Sequence, residues 1–264
     1  MIGPADDRVK DAATDTVTLE LTDVDRGACV FVQVALAGDD AGVTALAALT
    51  LGGETATIGD PASISMETRE PLVRWQCRVA GDSLVLDAEL EAVSVPVAFD
   101  DAQAEAAGFE RYEQICRVRG EIEVGGRPAR LDGVGRRAHA WGEPAGGRFR
   151  SVYAVGAEHA VTLSAVRPRD AAEHGDELVT AHRLRPDTLP ERFESARLST
   201  VYDAAGRPRT AGLELYLPGE EYPRRVSGEA IPAPAGAPDA IETACFRWIL
   251  DGEPAQGGYQ MAGT

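Results

Sequence analysis

Apolar residues in this 264-residue chain recur at every second position. Val17, Leu19 and Leu21 alternate with Thr16, Thr18, Glu20 and Thr22; Leu84, Leu86, Ala88 and Leu90 alternate with Ser83, Asp87, Glu89 and Glu91. Tyr112, Cys116, Val118, Ile122 and Val124 likewise alternate with Arg111, Glu113, Arg117, Arg119, Glu121 and Glu123. A period of two sends successive side chains to opposite faces, which marks strands with one face toward a core or cavity. Further strands are expected over 29–37, 43–51, 63–68, 72–79, 127–141, 148–155, 160–166, 178–184, 192–202, 210–217, 222–231, 242–250 and 256–261. Turn signals separate them, among them Ala80-Gly81-Asp82, Val124-Gly125-Gly126 and Leu217-Pro218-Gly219. The pattern predicts an all-β, antiparallel protein of barrels or sandwiches. One segment departs from it: Asp100 to Gly108, with two aspartates, an alanine-rich middle and a closing glycine, reads as a short capped helix.

Proline and paired glycines in Glu143-Pro144-Ala145-Gly146-Gly147 mark a boundary, giving domains at 1–143 and 144–264 with about ten strands before it and seven after. The stretch 233–238, rich in proline and alanine, reads as a connection, and the polar first dozen residues as a frayed end. No internal repeat stands out.

Composition narrows the partners. A net charge of -17 opposes binding to a phosphate backbone, so nucleic acid is excluded as an expected partner. No run of roughly 18 apolar residues occurs and no basic-then-apolar leader opens the chain, so the expectation is a cytoplasmic protein without a membrane span. Cys29, Cys77, Cys116 and Cys245 lie far apart and away from the histidines, which predicts buried free thiols rather than a zinc or redox motif. The acidic cluster at 173–177 reads as a solvated loop. Phosphate-binding loops, nucleophile elbows and metal-binding His-Glu-x-x-His helices are absent from the sequence. The oligomeric state leaves no mark in it.

Chemistry is concentrated in Gly133-Val134-Gly135-Arg136-Arg137-Ala138-His139-Ala140-Trp141-Gly142. On a strand, Gly133, Gly135, Arg137, His139 and Trp141 share one face. The glycines would leave space for a ligand, His139 would act as general acid or base, Arg137 would hold an anionic group, and Trp141 would supply apolar surface. Tyr112 and Gln114 lie on the apolar face of their strand and would present polar groups to the same cavity, Tyr112 as a polarising contact. Trp75 and Trp248 fill cores or line the pocket. The alternative is that these groups form a buried polar network that only pins two sheets together.

The run from Arg111-Tyr112-Glu113-Gln114 through Gly125-Gly126-Arg127 and Leu131-Asp132-Gly133 to His139-Ala140-Trp141-Gly142 resembles the lipocalin-like superfamily of hydroxyneurosporene synthase (carotenoid hydratase) and AttH-type proteins. Members of that group commonly carry Gly-x-Gly-x-Arg-Asp-His-Ser-Trp-Gly; Gly133, Gly135, Arg137, His139, Trp141 and Gly142 match it, while Ala138 and Ala140 replace the Asp and Ser. The resemblance implies two consecutive lipocalin-like β-barrel or half-barrel domains with the motif near their junction, in a wider group that includes isoprenoid hydratases and fungal Diels-Alderases. It implies no cofactor and a hydrophobic, isoprenoid- or polyketide-like small molecule as partner, which a cofactor-independent enzyme would cyclise, isomerise or hydrate. The loss of the Asp and Ser weighs against hydration and toward a non-catalytic carrier.

Overall fold

A computed structural model describes residues 2–37, 42–172, 174–231 and 242–263, which divide into two compact units. Unit 1 contains β1 (Thr14–Asp23), β2 (Ala28–Ala37), β3 (Val43–Leu51), β4 (Glu54–Ile58), β5 (Ile64–Glu70), β6 (Arg74–Ala80), β7 (Leu84–Ala92), β8 (Val97–Ala98), β9 (Phe109–Val124) and β10 (Arg127–Gly142). Its order is β4-β3-β2-β1-β10-β9-β7-β6-β5, with β8 paired to β9. Unit 2 contains the helix α1 (Asp101–Ala107) and β11 (Arg148–Val155), β12 (Ala160–Arg167), β13 (Leu178–Leu184), β14 (Glu191–Arg192), β15 (Ser195–Tyr202), β16 (Pro208–Tyr216), β17 (Arg224–Ala230), β18 (Glu242–Leu250) and β19 (Glu253–Gly263). These follow the order β14-β13-β12-β11-β19-β18-β17-β16-β15. Each sheet is antiparallel, as the alternating pattern predicts, and curls into a half-barrel, the lipocalin-like architecture that the resemblance of the motif implies.

The curl places one row of apolar side chains inside each unit. In β7 buried and exposed residues alternate from Leu84 to Glu91, so Leu84, Leu86, Ala88 and Leu90 join Leu19, Leu21, Val32, Leu49 and Val118 in the core of unit 1. Leu163, Leu213, Phe246, Trp248 and Tyr259 anchor the core of unit 2. At roughly 1.5–3 kcal/mol for each large apolar side chain removed from water, these interior rows supply the main drive to curl.

The two units share a strand order that no sequence repeat announces. In each, an initial array of four strands runs outward from the first strand, and a later array returns so that the last strand pairs with that first one: β10 with β1, and β19 with β11. Glycines allow the last strand its close approach. A Cβ on Gly257 would lie 2.0 Å from the Tyr153 carbonyl oxygen of β11; one on Gly135 would lie 2.5 Å from the Glu20 oxygen of β1; one on Gly133 would lie 2.5 Å from the Thr22 oxygen. The expectation that Gly133 and Gly135 open space for a ligand is therefore corrected, because the backbone of β1 fills that space.

Several other expectations change. The sequence reading omits β4 because Glu54–Ile58 is an edge strand of half-buried and exposed residues with little apolar contrast. The strand expected from Leu72 begins at Arg74, since Glu70-Pro71-Leu72-Val73 forms a turn closed by the Val73 N–H on the Glu70 carbonyl at 3.0 Å. The strand expected over 192–202 is divided between β14 and β15. The helix is as expected: the Asp100 carboxylate caps the Gln103 N–H at 3.0 Å, and Gly108 ends the helix at φ 79°. The residues before β1 are not frayed, for Pro4–Asp7 forms a 3-10 turn and Asp7 is buried. Cys77 and Cys116 are buried free thiols, but Cys29 and Cys245 are not free, which corrects the expectation of four thiols. The stretch 233–238 lies outside the described residues, and no helix among those described is long and apolar enough to cross a membrane.

Gly135→Ala should destabilise unit 1 by about 1–3 kcal/mol, the usual cost of overpacking, because the added Cβ meets backbone and the Val118 side chain at 2.9 Å. A fall in the urea midpoint would register it; an unchanged midpoint would mean that β1 and β10 separate without cost.

Candidate functional site

Strand register assembles the motif. His139 stands opposite Val17 of β1 and Tyr112 of β9, and Arg137 opposite Leu19 and Gln114. Alternation then brings Arg137, His139 and Trp141 to one face with Tyr112. The His139 ring lies 5.6 Å from Tyr112 and 5.0 Å from Trp141, and those two rings lie 6.1 Å apart.

The centre of the cluster is a residue the sequence reading passed over. Pro4, whose ring presets φ for a first helical position, starts the short turn that lowers Asp7 onto the sheet. One Asp7 oxygen accepts from Arg137 Nη2 at 2.6 Å and from the Tyr112 hydroxyl at 2.8 Å. The other accepts from Trp75 Nε1 and from the Leu72 N–H, each at 2.9 Å. Arg137 Nη1 also donates to the Tyr112 oxygen at 2.8 Å, and the guanidinium lies 4.7 Å from the Trp75 ring centroid. Leu72 has a left-handed φ of 61° and is clamped at both backbone groups, its carbonyl accepting from Gln114 Nε2 at 3.1 Å. Gln114 donates as well to the Ser94 carbonyl at 3.0 Å, and the two acceptors fix which end of its amide is nitrogen. Burial pushes the Tyr112 phenol well above its ordinary range against the opposing pull of Arg137, so Tyr112 remains a hydrogen-bond donor to Asp7.

His139 is committed to the same segment. Its Nδ1 lies 2.9 Å from the Asp6 carbonyl oxygen and its Nε2 2.8 Å from an Asp15 carboxylate oxygen. The other Asp15 oxygen accepts from the Lys10 N–H, while the Lys10 ammonium lies 4.8 Å from the Trp141 ring centroid and 2.9 Å from Asp6. Arg137, His139 and Trp141 thus each take one contact from the residues preceding β1. With both ring nitrogens engaged and the side chain 1% exposed, His139 has no free position for the general acid–base role expected of it; it seats this N-terminal strap.

A cavity of about 110 Å³ opens beside this cluster within unit 1. Val17, Leu19, Met66 and Leu90 give it apolar walls, Trp75 a flat side, and Asp7 and Arg137 a polar end, while Glu67, Thr68 and Gln76 also line it. Of the expected site residues, Arg137 and Trp75 line it, whereas Tyr112, Gln114, His139 and Trp141 do not. Trp248 is not brought to the cluster: it lies in the core of unit 2, stacked on Phe246 at 4.9 Å. The signal for Asp7 was the proline opening Pro4-Ala5-Asp6-Asp7, which marks a turn but not its docking.

The opposite face of β10 carries a second buried polar group. Arg136 pairs with Glu20 at 2.8 Å and Glu113 at 3.2 Å, and Arg111 lies 3.5 Å from Glu113. Burial lowers the Arg111 guanidinium to about 10 despite its carboxylate neighbours. Among the described residues, no group of three or more His, Cys, Asp or Glu is placed to hold a metal.

Cys77, on the cavity wall, and Cys116 are both pushed up to about 12 from 9.0, chiefly by burial. An unfolded thiol ionises near pH 9 while the folded one stays protonated, so the unfolded state binds fewer protons between pH 9 and 12 and stability falls as pH rises through that window. The expected slope is on the order of 1 kcal/mol per pH unit for each thiol. Denaturant titrations above pH 9 should show a shallower slope in a Cys77→Ala, Cys116→Ala variant; equal slopes would contradict the assignment.

The whole chain has solved structural counterparts. It superposes on a protein assigned as AttH from Nitrosomonas europaea with TM-score 0.70 at 13% identity, covering 99% of this chain and 96% of that one. Kievitone hydratase from Nectria haematococca gives 0.67 at 11% identity, over 100% and 93% of the two chains. CghA with Sch210972 gives 0.63 at 11%, over 97% and 90%. These likenesses establish the fold, in agreement with the AttH-type, lipocalin-like resemblance of the motif. No curated protein matches the sequence. A family model described as a domain of unknown function, DUF7064, matches residues 11–224, and the chain belongs to that family.

Proposed function

We propose that unit 1 binds an unsaturated, largely apolar small molecule and promotes its cyclisation, isomerisation or hydration without a cofactor. The observation that carries this reading is Arg137 at the polar end of an apolar-walled cavity. A guanidinium has five N–H donors, and the described hydrogen bonds and ion pair of Arg137 use two of its nitrogens, on Tyr112 and Asp7. A remaining donor directed at a ligand oxygen would stabilise charge that develops there during reaction. Folding a flexible ligand between the walls would supply proximity, worth up to roughly 7–11 kcal/mol when the reacting groups are well aligned. Kievitone hydratase, among the proteins of the same fold, supports this class of chemistry.

A non-catalytic carrier is the second reading, and the engaged nitrogens of His139 favour it.

Ligand extracted from purified protein and identified by mass spectrometry, then returned to fresh protein, separates the two. Conversion is expected for the enzyme, with kcat/KM about 100-fold lower in Arg137→Lys, which keeps the charge opposite Asp7 but loses the planar fork. Recovery of the ligand unchanged would leave the carrier; full turnover by Arg137→Lys would remove Arg137 from the reaction.

A further inference from the structure

The donors around Asp7 belong to the sheet, whereas the carboxylate they hold arrives from outside it. Arg137 stands on β10, Tyr112 on β9 and Trp75 on β6, and the Leu72 amide lies in the turn between β5 and β6. Their four groups converge on two oxygens. Other contacts hold the donors in place: Arg137 bonds Tyr112 and rests on the Trp75 ring, and the Leu72 backbone is tied through its carbonyl to Gln114. A leucine is kept in the left-handed region only where its surroundings over-determine it, and here the conformation aims an N–H at the carboxylate.

The count of donors indicates the acceptor. A carboxylate offers about four lone-pair sites on two oxygens and satisfies all four groups, while a ketone or alcohol oxygen would leave buried donors unfilled. Asp7 is buried, yet Arg8 beside it is exposed and Val9 is 70% exposed. Asp7 and Val9 also form part of the cavity wall, so lifting this segment would join the four donors to the apolar space lined by Val17, Leu19, Met66 and Leu90.

We propose that the four donors form a recognition site for the carboxylate of a small apolar acid, and that Asp7 occupies it as an internal stand-in that the ligand displaces. The inference rests on unit 1 being a small-molecule binder and specifies the polar end of its ligand. A cavity of roughly 150 Å³ admits benzene, so about 110 Å³ together with the volume vacated by the Asp7 side chain suits a short alkyl chain or one phenyl ring.

Hexanoate and 1-hexanol, which share a tail but not a charge, test this in wild-type protein and Asp7→Ala by calorimetry and thermal unfolding. Asp7→Ala should bind hexanoate at least tenfold more tightly than wild type does and at least tenfold more tightly than it binds 1-hexanol, with a Tm that rises as hexanoate is added. In wild type, saturating hexanoate should accelerate tryptic cleavage after Lys10. Equal hexanoate affinity in the two proteins, or 1-hexanol binding Asp7→Ala as well as hexanoate does, would overturn the carboxylate site while leaving the small-molecule reading intact. Absence of binding by either compound to either protein would remove both. Should Asp7→Ala fail to fold, recovery of its folding by hexanoate, and of Asp7→Asn in parallel, becomes the readout; no recovery in either variant also overturns the proposal.

Discussion

A carboxylate taken out of water is tolerated only when its oxygens are filled, and in unit 1 this requirement organises everything around Asp7. Arg137 neutralises it, and the Tyr112 hydroxyl, the Trp75 indole and the Leu72 amide complete its partners. Each donor sits on a different part of the sheet, so one side chain ties the segment before β1 to β10, β9, β6 and the β5–β6 turn. Removing one member of such a buried pair strands the other, which typically costs about 3–5 kcal/mol, far more than a surface ion pair contributes. The exposed pair of Arg74 and Glu70 near this turn bears no comparable weight.

Much of the fold was legible because strands with one buried face write their period into the sequence. β7 and the second half of β9, from Arg117, were readable from alternation alone, and α1 from its caps; β4 was not, since an edge strand of half-buried and exposed residues has no contrast to display. The site was legible only in part. Parity correctly gathers Arg137, His139 and Trp141, because register in a regular ladder is a local property. Asp7 was hidden because a short turn docked by side-chain hydrogen bonds has no period, and its partners lie as far away in sequence as Arg137. Gly135 was misread for a related reason: a missing Cβ looks the same in the sequence whether a ligand or a neighbouring backbone takes its place.

Ala138 gains meaning from its register. It pairs with Thr18 and Glu113 on the face that carries Arg136, away from Arg137 and His139. An aspartate there would join Glu20 and Glu113 around Arg136 and Arg111 rather than orient the imidazole, so its absence alters the second polar cluster and leaves the cavity side untouched. His139 obtains its carboxylate from Asp15, on β1. In this chain the imidazole is held between the Asp6 carbonyl and the Asp15 carboxylate, and so ties the segment before β1 and β1 itself to β10.

The shared strand order has a consequence for how the chain reaches this state. β1 to β4 and β5 to β10 can each form largely from neighbouring hairpins, whose loops close quickly, but the β1–β10 seam joins residues more than a hundred positions apart. That seam waits until β10 has left the ribosome. Because the Asp15–His139 contact spans it and the Asp7–Arg137 contact bridges the same distance, the site is assembled at the final closure of the sheet, and a chain interrupted within β10 would hold both hairpin arrays yet lack a completed pocket.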